Sequence, residues 1–282
     1  MSPFVYRLAR SIEEASAILA GAGDEARLLA GGMTLIPAMK HGLAAPSTLV
    51  DLRAVASLKG IAHEGAAVVI GAMTTHDEVA ASAAVRAQIP ALAGLAGGIG
   101  DPQVRRRGTI GGSVANNDPA ADYPAACMGL GATIVTNRRA VPADEFFSGF
   151  FSTALGAGEL VTAVRFPVPQ TAAYIKFANQ ASRYATVGVF VSRSSAGVRL
   201  AVTGAGRNGV FRVRAIEEAL MQRFSPGAVP GHGLPDDALF ADLHASAAYR
   251  SHLIDVLARR AVAACLGITT KVPVRHGGAV AY

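Results

Sequence analysis

The sequence has few of the residues that build metal centres, disulfide frameworks and aromatic binding surfaces. Its two cysteines, Cys127 and Cys265, have no partner at a metal-binding or redox spacing, which excludes zinc ribbons, cysteine-ligated iron–sulfur clusters and a disulfide scaffold. Tryptophan is absent and aromatic residues make up 6% of the chain, so a stacking surface for single-stranded nucleic acid is not expected. We therefore predict neither a metal site nor a nucleic-acid ligand.

Charge and long apolar runs are also scarce. Charged residues make up 16% of the chain, and apart from Arg105-Arg106-Arg107 the basic residues behind the net charge of +6 are scattered. A cluster this short suits an anionic small molecule or an acidic partner surface better than nucleic acid. The longest uncharged apolar stretch, 87–100, contains Pro90 and four glycines, so no membrane span is expected. The first ten residues lack the apolar segment of a secretory signal, which predicts a cytoplasmic protein.

Signatures of hydrolases and nucleotide-cleaving enzymes are missing as well. There is no G-x-S-x-G, no P-loop and no H-E-x-x-H among the seven histidines. His41 and His76 lie close to predicted helix ends, where solvent and the helix dipole would account for them. The 51% of hydrophobic residues nevertheless suffices for a large core, and 282 residues suggest two or three domains. We expect no nucleophile or general base in this chain.

Apolar periodicity predicts strands alternating with helices in most of the chain, and paired strands followed by helices near its end. Ser11 with Glu14, and Thr75 with Glu78, have the spacing of capping boxes that open helices. The predicted strands lie at 4–7, 27–30, 49–52, 67–70, 133–136, 160–166, 185–192 and 198–202, and the main further helices at 34–41, 120–130, 213–222 and 249–266.

Gly31-Gly32 lies between a predicted buried strand and a helix that begins at once. Backbone N–H groups without a nearby Cβ, at the start of a helix, form a phosphate site. The alternative is a tight turn with no ligand. With 31 glycines, roughly three Gly-Gly pairs are expected by chance, and the chain has four. The residues around each pair therefore have to distinguish a ligand site from a simple turn.

Gly111-Gly112 lies in a predicted loop over 108–117 that is richer in polar groups. Hydroxyl residues flank the pair, and two asparagines and two aspartates follow within 116–122. Exposed N–H donors, hydroxyls and carboxylates suit a polyol phosphate with a hydrogen-bonding ring. The alternative is a glycine-rich loop that fills a seam between domains.

A third glycine-rich segment and one tyrosine also resemble parts of a ligand site. Gly204-x-Gly206-x-x-Gly209 matches a dinucleotide fingerprint, but 210–213 resembles a returning strand and no acid follows at the required distance. We therefore predict a hairpin turn there. Tyr184 is either a core tyrosine or an aromatic lid on a flat ring.

Several segments occur in the order typical of one family: Leu29–Pro37, Ile70–His76, Asp101–Arg105, Gly108–Asn116, Asp118–Asp122, Gly158–Val161 and Ser246–Arg250. In these segments the chain resembles the FAD-binding medium subunit of a molybdenum hydroxylase, of the carbon monoxide dehydrogenase and xanthine dehydrogenase group. The resemblance covers nearly the whole chain, and its Gly-Thr-Ile-Gly-Gly stretch is highly specific.

The resemblance implies an α+β fold. Two small α/β FAD-binding domains of the type-2, PCMH-like kind would occupy 1–53 and 54–170. A C-terminal α+β domain with an antiparallel sheet and helices would occupy 171–282.

FAD is the implied cofactor. The first glycine segment would cradle its pyrophosphate, and the second would contact the flavin and phosphate side. Asp122 would be the acidic ligand, Tyr184 would lie beside the isoalloxazine ring, and Lys176 is a further carried-over position. Met33 departs from the family, where a polar residue is usual, and Ser113 replaces a frequent asparagine. The implied FAD-binding residues are Ala30, Gly31, Gly32, Met33, Thr34, Leu35, Thr109, Ile110, Gly111, Gly112, Ser113, Asp122 and Tyr184.

The implied function is electron transfer. Substrate would be oxidised at a molybdopterin-binding large subunit, and electrons would pass through [2Fe–2S] clusters of a small subunit to FAD and on to an external acceptor. The assembly implied is a dimer of heterotrimers. The alternatives are a stand-alone FAD-dependent oxidoreductase and a non-catalytic scaffold protein without flavin.

Overall fold

A computed structural model describes residues 2–231 and 234–268. The strands in this part are β1 Val5–Leu8, β2 Ala26–Leu29, β3 Thr48–Asp51, β4 Ile61–Glu64, β5 Ala67–Gly71, β6 Thr133–Thr136, β7 Ala140–Pro142, β8 Phe147–Gly149, β9 Ser152–Thr153, β10 Val161–Pro167, β11 Thr171–Ala178, β12 Ala185–Ser194, β13 Gly197–Thr203 and β14 Phe211–Arg212. The α-helices are α1 Ile12–Ala22, α2 Leu35–Lys40, α3 His76–Ala81, α4 Ala83–Gln88, α5 Pro90–Gly97, α6 Pro102–Arg107, α7 Ile110–Asn116, α8 Asp122–Leu130, α9 Ala143–Phe146, α10 Arg214–Gln222 and α11 Ala247–Cys265.

The first sheet is small and parallel, with strand order β1-β3-β2. Parallel strands need crossover connections, which α1 and α2 supply. Ser11 caps α1, since its hydroxyl accepts the Glu14 N–H. The Glu14 carboxylate accepts the Arg10 N–H instead of that of Ser11, so only half of the predicted capping box forms. The glycine pair Gly31-Gly32 directly follows the carboxyl end of β2.

The second sheet does not repeat this parallel arrangement. Its five strands, in the order β4-β5-β10-β6-β7, are all antiparallel. Helices α3 to α8 lie between β5 and β6 in the chain, and they bury the largest hydrophobic cluster together with this sheet. The capping box of Thr75 and Glu78 is complete at the start of α3.

The third sheet is antiparallel, in the order β11-β12-β13-β14. Residues 185–192 of β12 are all buried, because α8 packs against one face of the strand and α11 against the other. Alternate side chains of a strand point to opposite faces. Accordingly, Phe190 joins the cluster with α8, whereas Val187, Val189 and Val191 join the cluster with α11. This explains why β12 is a continuous apolar run.

The predicted α+β class is confirmed, and the predicted strands agree with the observed ones to within two residues. The hairpin at 204–209 is confirmed, since β13 and β14 pair in antiparallel fashion around Gly204, whose φ is +81°. The predicted domain limits at 53 and 170 fall between sheets, and the division into domains stays a prediction. Positions 269–282 of the third predicted domain lie outside the described residues. No helix of the described part is long and apolar enough to cross a membrane.

The prediction of a loop over 108–117 is wrong, because α7 occupies Ile110–Asn116. Its start is capped by Thr109, whose hydroxyl accepts the N–H of Gly112. Glycine and asparagine have low helix propensity, so the sequence favoured a loop there. Tertiary packing overrides that preference.

Candidate functional site

A cavity of about 580 Å³ lies where the first sheet, the helices of the second sheet and the β11–β12 connection meet. Its volume is within the range typical of small-molecule sites. Three segments, at 27–44, 99–122 and 182–184, supply most of its walls, and His76 and Phe151 complete them. Eleven of the thirteen residues predicted to bind FAD line this cavity: Ala30, Gly31, Gly32, Met33, Thr34, Leu35, Thr109, Gly112, Ser113, Asp122 and Tyr184.

The first glycine segment leaves its backbone donors open. Gly31 is pressed against the chain ahead of the second segment, since a Cβ there would lie 2.0 Å from the Arg107 carbonyl oxygen. Gly32 has a φ of +74°, a conformation that favours glycine. Within residues 2–231 and 234–268, the five consecutive N–H groups of 31–35 meet no hydrogen-bond acceptor. Consecutive free N–H groups beside a cavity are suited to an anion such as a phosphate.

The second glycine segment has its donors satisfied. The N–H of Ile110 donates to the Thr74 carbonyl at 3.0 Å, and that of Gly111 to the Ala72 carbonyl at 2.9 Å. The next two N–H groups, of Gly112 and Ser113, bond to the hydroxyl and the carbonyl of the helix cap. The predicted exposed N–H donors are therefore absent from 110–113, because these groups begin a helix and join it to the second sheet.

Ile110 and Gly111 are the two predicted residues that do not line the cavity. The Ile110 side chain is fully buried in the core. A Cβ on Gly111 would lie 2.5 Å from the Cβ of Ala72 and 2.7 Å from its carbonyl oxygen. Gly111 thus allows α7 to approach the end of β5, whereas Gly112 and Ser113 on the same helix line the cavity.

Asp122 is the most buried charge in the cavity wall, at 5% exposure. The Tyr174 hydroxyl donates to its Oδ1, and the ammonium group of Lys176 lies 3.0 Å away. Burial raises the pKa of Asp122, and the neighbouring Lys176 and Tyr174 offset part of that effect. Lys176 does not line the cavity; it also donates to the carbonyls of Gly98 and Arg183, so it joins α5, Asp122 and the segment that carries Tyr184.

Tyr184 is not a core residue. Its side chain is 43% exposed and lines the cavity. The segment before it is fixed by Asn179, whose side-chain oxygen accepts the N–H groups of Ala181 and Ser182. Partial burial and the nearby carboxylates, first that of Asp118, raise the pKa of Tyr184, so its phenol stays neutral at physiological pH. Of the two interpretations offered for this residue, the core tyrosine is wrong, and the aromatic lid stays a prediction.

His76 has a role that the sequence did not indicate. It is 5% exposed and lines the cavity, so the interpretation as a solvated helix-end histidine is wrong. Burial, together with Arg105, lowers its pKa to about 4, and the imidazole is neutral at pH 7. Its Nδ1 is buried without a hydrogen-bond partner in the described part of the chain. A signal was available, because the Thr75 cap places His76 at the first position of the helix that follows the largely buried strand β5.

The basic cluster is only partly available to a ligand. The Arg105 guanidinium donates to the carbonyls of Ile99 and Gly100, which fixes the chain that enters α6. Arg106 and Arg107 are exposed. Phe151 and Arg183 also line the cavity, and no local pattern marks them, since the fold brings them there from distant segments.

Comparison with known proteins identifies the class. The family described as FAD binding domain in molybdopterin dehydrogenase matches residues 2–169. The carbon monoxide dehydrogenase medium chain of Hydrogenophaga pseudoflava is 36% identical over 92% of this chain and 96% of its own. That of Afipia carboxidovorans is 38% identical over 92% of this chain and 95% of its own. The nicotine 6-hydroxylase medium subunit of Paenarthrobacter nicotinovorans is 34% identical over 91% and 95%.

Solved structures agree. Carbon monoxide dehydrogenase from Hydrogenophaga pseudoflava, in a form that lacks the Mo-pyranopterin moiety, superposes with a TM-score of 0.86 at 35% identity, covering 95% of this chain and 99% of that chain. Quinoline 2-oxidoreductase from Pseudomonas putida 86 superposes with a TM-score of 0.84 at 28% identity, covering 95% and 98%.

The chain belongs to the family of FAD-binding domains in molybdopterin dehydrogenases. Within it, the chain is the medium, FAD-binding subunit of an oxidoreductase of the carbon monoxide dehydrogenase and xanthine dehydrogenase group. Its relatives are medium chains of multi-subunit molybdenum hydroxylases, which implies large and small partner subunits. The resemblance found in the sequence is thereby confirmed, whereas the individual FAD-binding residues stay predictions.

Proposed function

We propose that this subunit accepts electrons from [2Fe–2S] clusters of a small partner subunit and passes them, by way of FAD, to an external acceptor. The observation that carries the proposal is the cavity wall at 31–35, with its five open N–H groups, in a chain of this family. Three relatives of similar length are named for carbon monoxide, nicotine and caffeine. Because similar subunits occur in enzymes named for such different molecules, their common function is expected to be independent of the substrate, as electron transfer is.

The residues present fit FAD. The N–H groups of 31–35 would hold its pyrophosphate, as open backbone donors hold other phosphates. Tyr174 donates to Asp122 Oδ1, and the Lys176 ammonium lies within reach of both Asp122 oxygens, but a carboxylate oxygen accepts more than one hydrogen bond. Asp122 could therefore accept a further donor from the cofactor. Tyr184 would cover the isoalloxazine ring, and Gly112 and Ser113 would line the flavin and phosphate side.

FAD, when bound, supplies the redox chemistry, and the protein supplies binding and positioning. At neutral pH the cavity presents the neutral imidazole of His76 and the neutral phenol of Tyr184. Asp122 is engaged by two side chains of β11. We assign no nucleophile and no general base to this chain, because the proposed role requires only that the cofactor be bound and positioned.

We also propose the assembly: a molybdopterin-binding large subunit, a [2Fe–2S] small subunit and this chain, paired as a dimer of heterotrimers. The support is that the similar proteins are medium chains or subunits matched over nearly their whole length. Substrate oxidation would take place on the large subunit.

The test uses the purified complex with and without its flavin. The complex is deflavinated, its iron–sulfur clusters are reduced with dithionite, and excess reductant is removed. NAD⁺, a soluble quinone or dioxygen is then added while the iron–sulfur absorption is followed. We expect the clusters to stay reduced until FAD is restored and then to reoxidise with at least one acceptor.

Equal reoxidation rates with and without FAD would overturn the proposed role. The same assay on this chain alone, without the large and small subunits, tests the alternative. Oxidation of a substrate by the isolated chain with FAD would favour a stand-alone oxidoreductase. Failure of the chain to take up FAD would contradict the cofactor site itself.

A further inference from the structure

Phe151 combines features that seldom occur together in one residue. Its side chain is 59% exposed, its φ is +49°, and it lines the cavity described above. A bulky residue with positive φ is a true outlier, and such strain persists only where the surroundings impose it. Strained backbone is concentrated at ligand sites, so the observation calls for a functional explanation.

A buried side chain imposes this conformation. Asn117, 1% exposed, donates from Nδ2 to the carbonyls of Gly149 at 2.8 Å and Ser152 at 2.7 Å. These two residues flank the tip of the β8–β9 hairpin, which consists of Phe150 and Phe151. The N–H of Phe151 in turn donates to the Asn117 carbonyl at 3.2 Å. The tip is therefore held in place by α7, not left to adopt its own conformation.

The two aromatic residues of the tip differ in their surroundings. Phe150 packs edge-on against Phe240, with ring centroids 6.2 Å apart, and does not line the cavity. Phe151 lines the cavity and has no aromatic ring beside it within the described residues. An apolar ring left more than half exposed beside a cavity can gain by covering a flat ligand.

Phe151 and Tyr184 both line the cavity. The backbone at each of them is tied to the connection between α7 and α8, at 117–121. Phe151 bonds to its first residue, and the N–H of Ala185, next to Tyr184, donates to the carbonyl of Ala120 at 3.3 Å. Burial and then the carboxylate of Asp118, a residue of this connection, raise the pKa of Tyr184.

We propose that Phe151 is a second aromatic wall of the FAD site, which stacks on the isoalloxazine ring together with Tyr184. The inference rests on the proposed FAD site. It adds a residue that positions the flavin and explains why a strained, exposed phenylalanine is held at this place. The positive φ aims the ring at the ligand, at a cost to the stability of the free protein.

The experiment titrates the full-length, flavin-free chain with FAD and follows flavin fluorescence. F151A and F151G should weaken binding about tenfold, the size of one lost ring-stacking contact. F151W should restore the affinity to within about threefold of the wild type. F150A, the neighbouring aromatic at the same tip, is the matched control and should change the affinity by less than about twofold.

Two further measurements separate a binding role from a structural one. F151G relieves the positive φ, so its flavin-free form should melt no lower than that of F151A, although both bind FAD weakly. ADP, which carries the adenine and the pyrophosphate but no flavin ring, should compete equally well in the wild type and F151A. Equal losses of ADP and FAD affinity would place Phe151 at the adenine and overturn the proposal.

Wild-type affinity for FAD in F151A would overturn the role of Phe151 while leaving the proposed function intact. Failure of the wild-type chain to bind FAD would instead contradict the proposed function. A joint fall of melting temperature and affinity in both F151A and F151G would show a purely structural residue, which also contradicts the inference.

Discussion

Gly31-Gly32 and Gly111-Gly112 are the same dipeptide beside one cavity, which Gly31, Gly32 and Gly112 line, and the two pairs differ in their hydrogen bonds. The N–H groups of 31–35 meet no acceptor in the part of the chain that the structure describes, whereas those of 110–113 all have acceptors within the protein. The first pair therefore presents a row of donors to a ligand. The second begins a helix whose donors are used to cap it and to attach it to the second sheet.

The two glycines within each pair differ in how much room a Cβ would have. One member of each pair, Gly31 or Gly111, lies against backbone where a Cβ has no room. The other member of each pair lines the cavity with fewer steric limits: Gly32 adopts a positive φ, and Gly112 sits in a regular helix. The comparison shows that a glycine pair indicates close packing first. A ligand site requires, in addition, that the backbone donors be left open.

The largest effect is expected for Gly111→Ala. The new Cβ meets the Cβ, the Cα and the carbonyl oxygen of Ala72, and this backbone cannot move aside as the end of a flexible side chain could. We expect a loss of about 3 kcal/mol in the free energy of unfolding of the flavin-free chain, typical of overpacking. Urea unfolding measures it. Unchanged stability combined with loss of FAD would show that the second pair is a donor cradle like the first.

The second prediction concerns His76, whose N–H donates to the Gly108 carbonyl and whose ring packs on Gly108, between the two glycine pairs. Its pKa falls from 6.5 to about 4 in the folded chain. Below pH 6.5 the unfolded chain therefore binds more protons, and stability is lost as the pH falls towards 4. Between pH 7 and pH 5 we expect the titration of His76 to lower the free energy of unfolding by about 2 kcal/mol.

Urea unfolding at pH 7 and pH 5 checks this prediction. In His76→Gln the loss of unfolding free energy between the two pH values should be about 2 kcal/mol smaller than in the wild type. His63→Gln, at an exposed histidine, is the matched control and should lose as much unfolding free energy as the wild type. An identical pH dependence in His76→Gln and the wild type would show that the buried imidazole is not neutral in the folded chain.

The sequence predicted elements whose causes are local. Three such elements can be predicted from adjacent residues alone: the apolar strand β12, the glycine-rich hairpin at 204–209 and the capping box at Thr75. The prediction of open donors at 31–35 has the same local basis, because the strand, the glycines and the helix are adjacent in the chain. That these donors bind FAD stays a prediction.

The sequence failed where distant residues decide the structure. Helix α7 depends on the backbone of Ala72, which no property of a Gly-Gly pair indicates. The lowered pKa of His76 depends on its burial, with Gly108 against the ring, and on the charge of Arg105. Phe151 reaches the cavity because Asn117, more than thirty positions earlier, fixes the hairpin that carries it. Such contacts need the tertiary arrangement before they can be seen.

The third prediction addresses the first pair through Gly32→Ala. The new Cβ would lie near the side chains of Ile36 and Leu29, at 3.1 and 3.2 Å, which can shift. The remaining cost is the positive φ, about 1 kcal/mol of stability. Because strain there reorients the neighbouring N–H groups, FAD affinity should fall about tenfold, as expected for one weakened charge-assisted hydrogen bond.

Gly42→Ala is the matched control for this variant. Gly42 has nearly the same φ, +72°, with open space around its Cβ position, and it does not line the cavity. It should show the same loss of stability in urea unfolding but unchanged FAD affinity in fluorescence titration. If both variants lose FAD equally, the effect reflects global destabilisation and the first pair has no special part in binding.

The smallest effect is expected for Gly112→Ala, and it is the most discriminating, because this glycine lines the cavity from within a helix. Alanine gains helix propensity, but its Cβ lies 2.9 Å from the Thr109 hydroxyl, which must shift slightly. The two effects oppose each other, so stability should change by no more than about 0.5 kcal/mol. A methyl group added to the cavity wall should lower the affinity for FAD about threefold, because it disturbs the packing against the cofactor without removing a donor.

A tenfold loss of affinity, equal to that of Gly32→Ala, would mean that the N–H of residue 112 leaves the Thr109 hydroxyl to bind the cofactor. The two glycine pairs would then work alike once FAD is present.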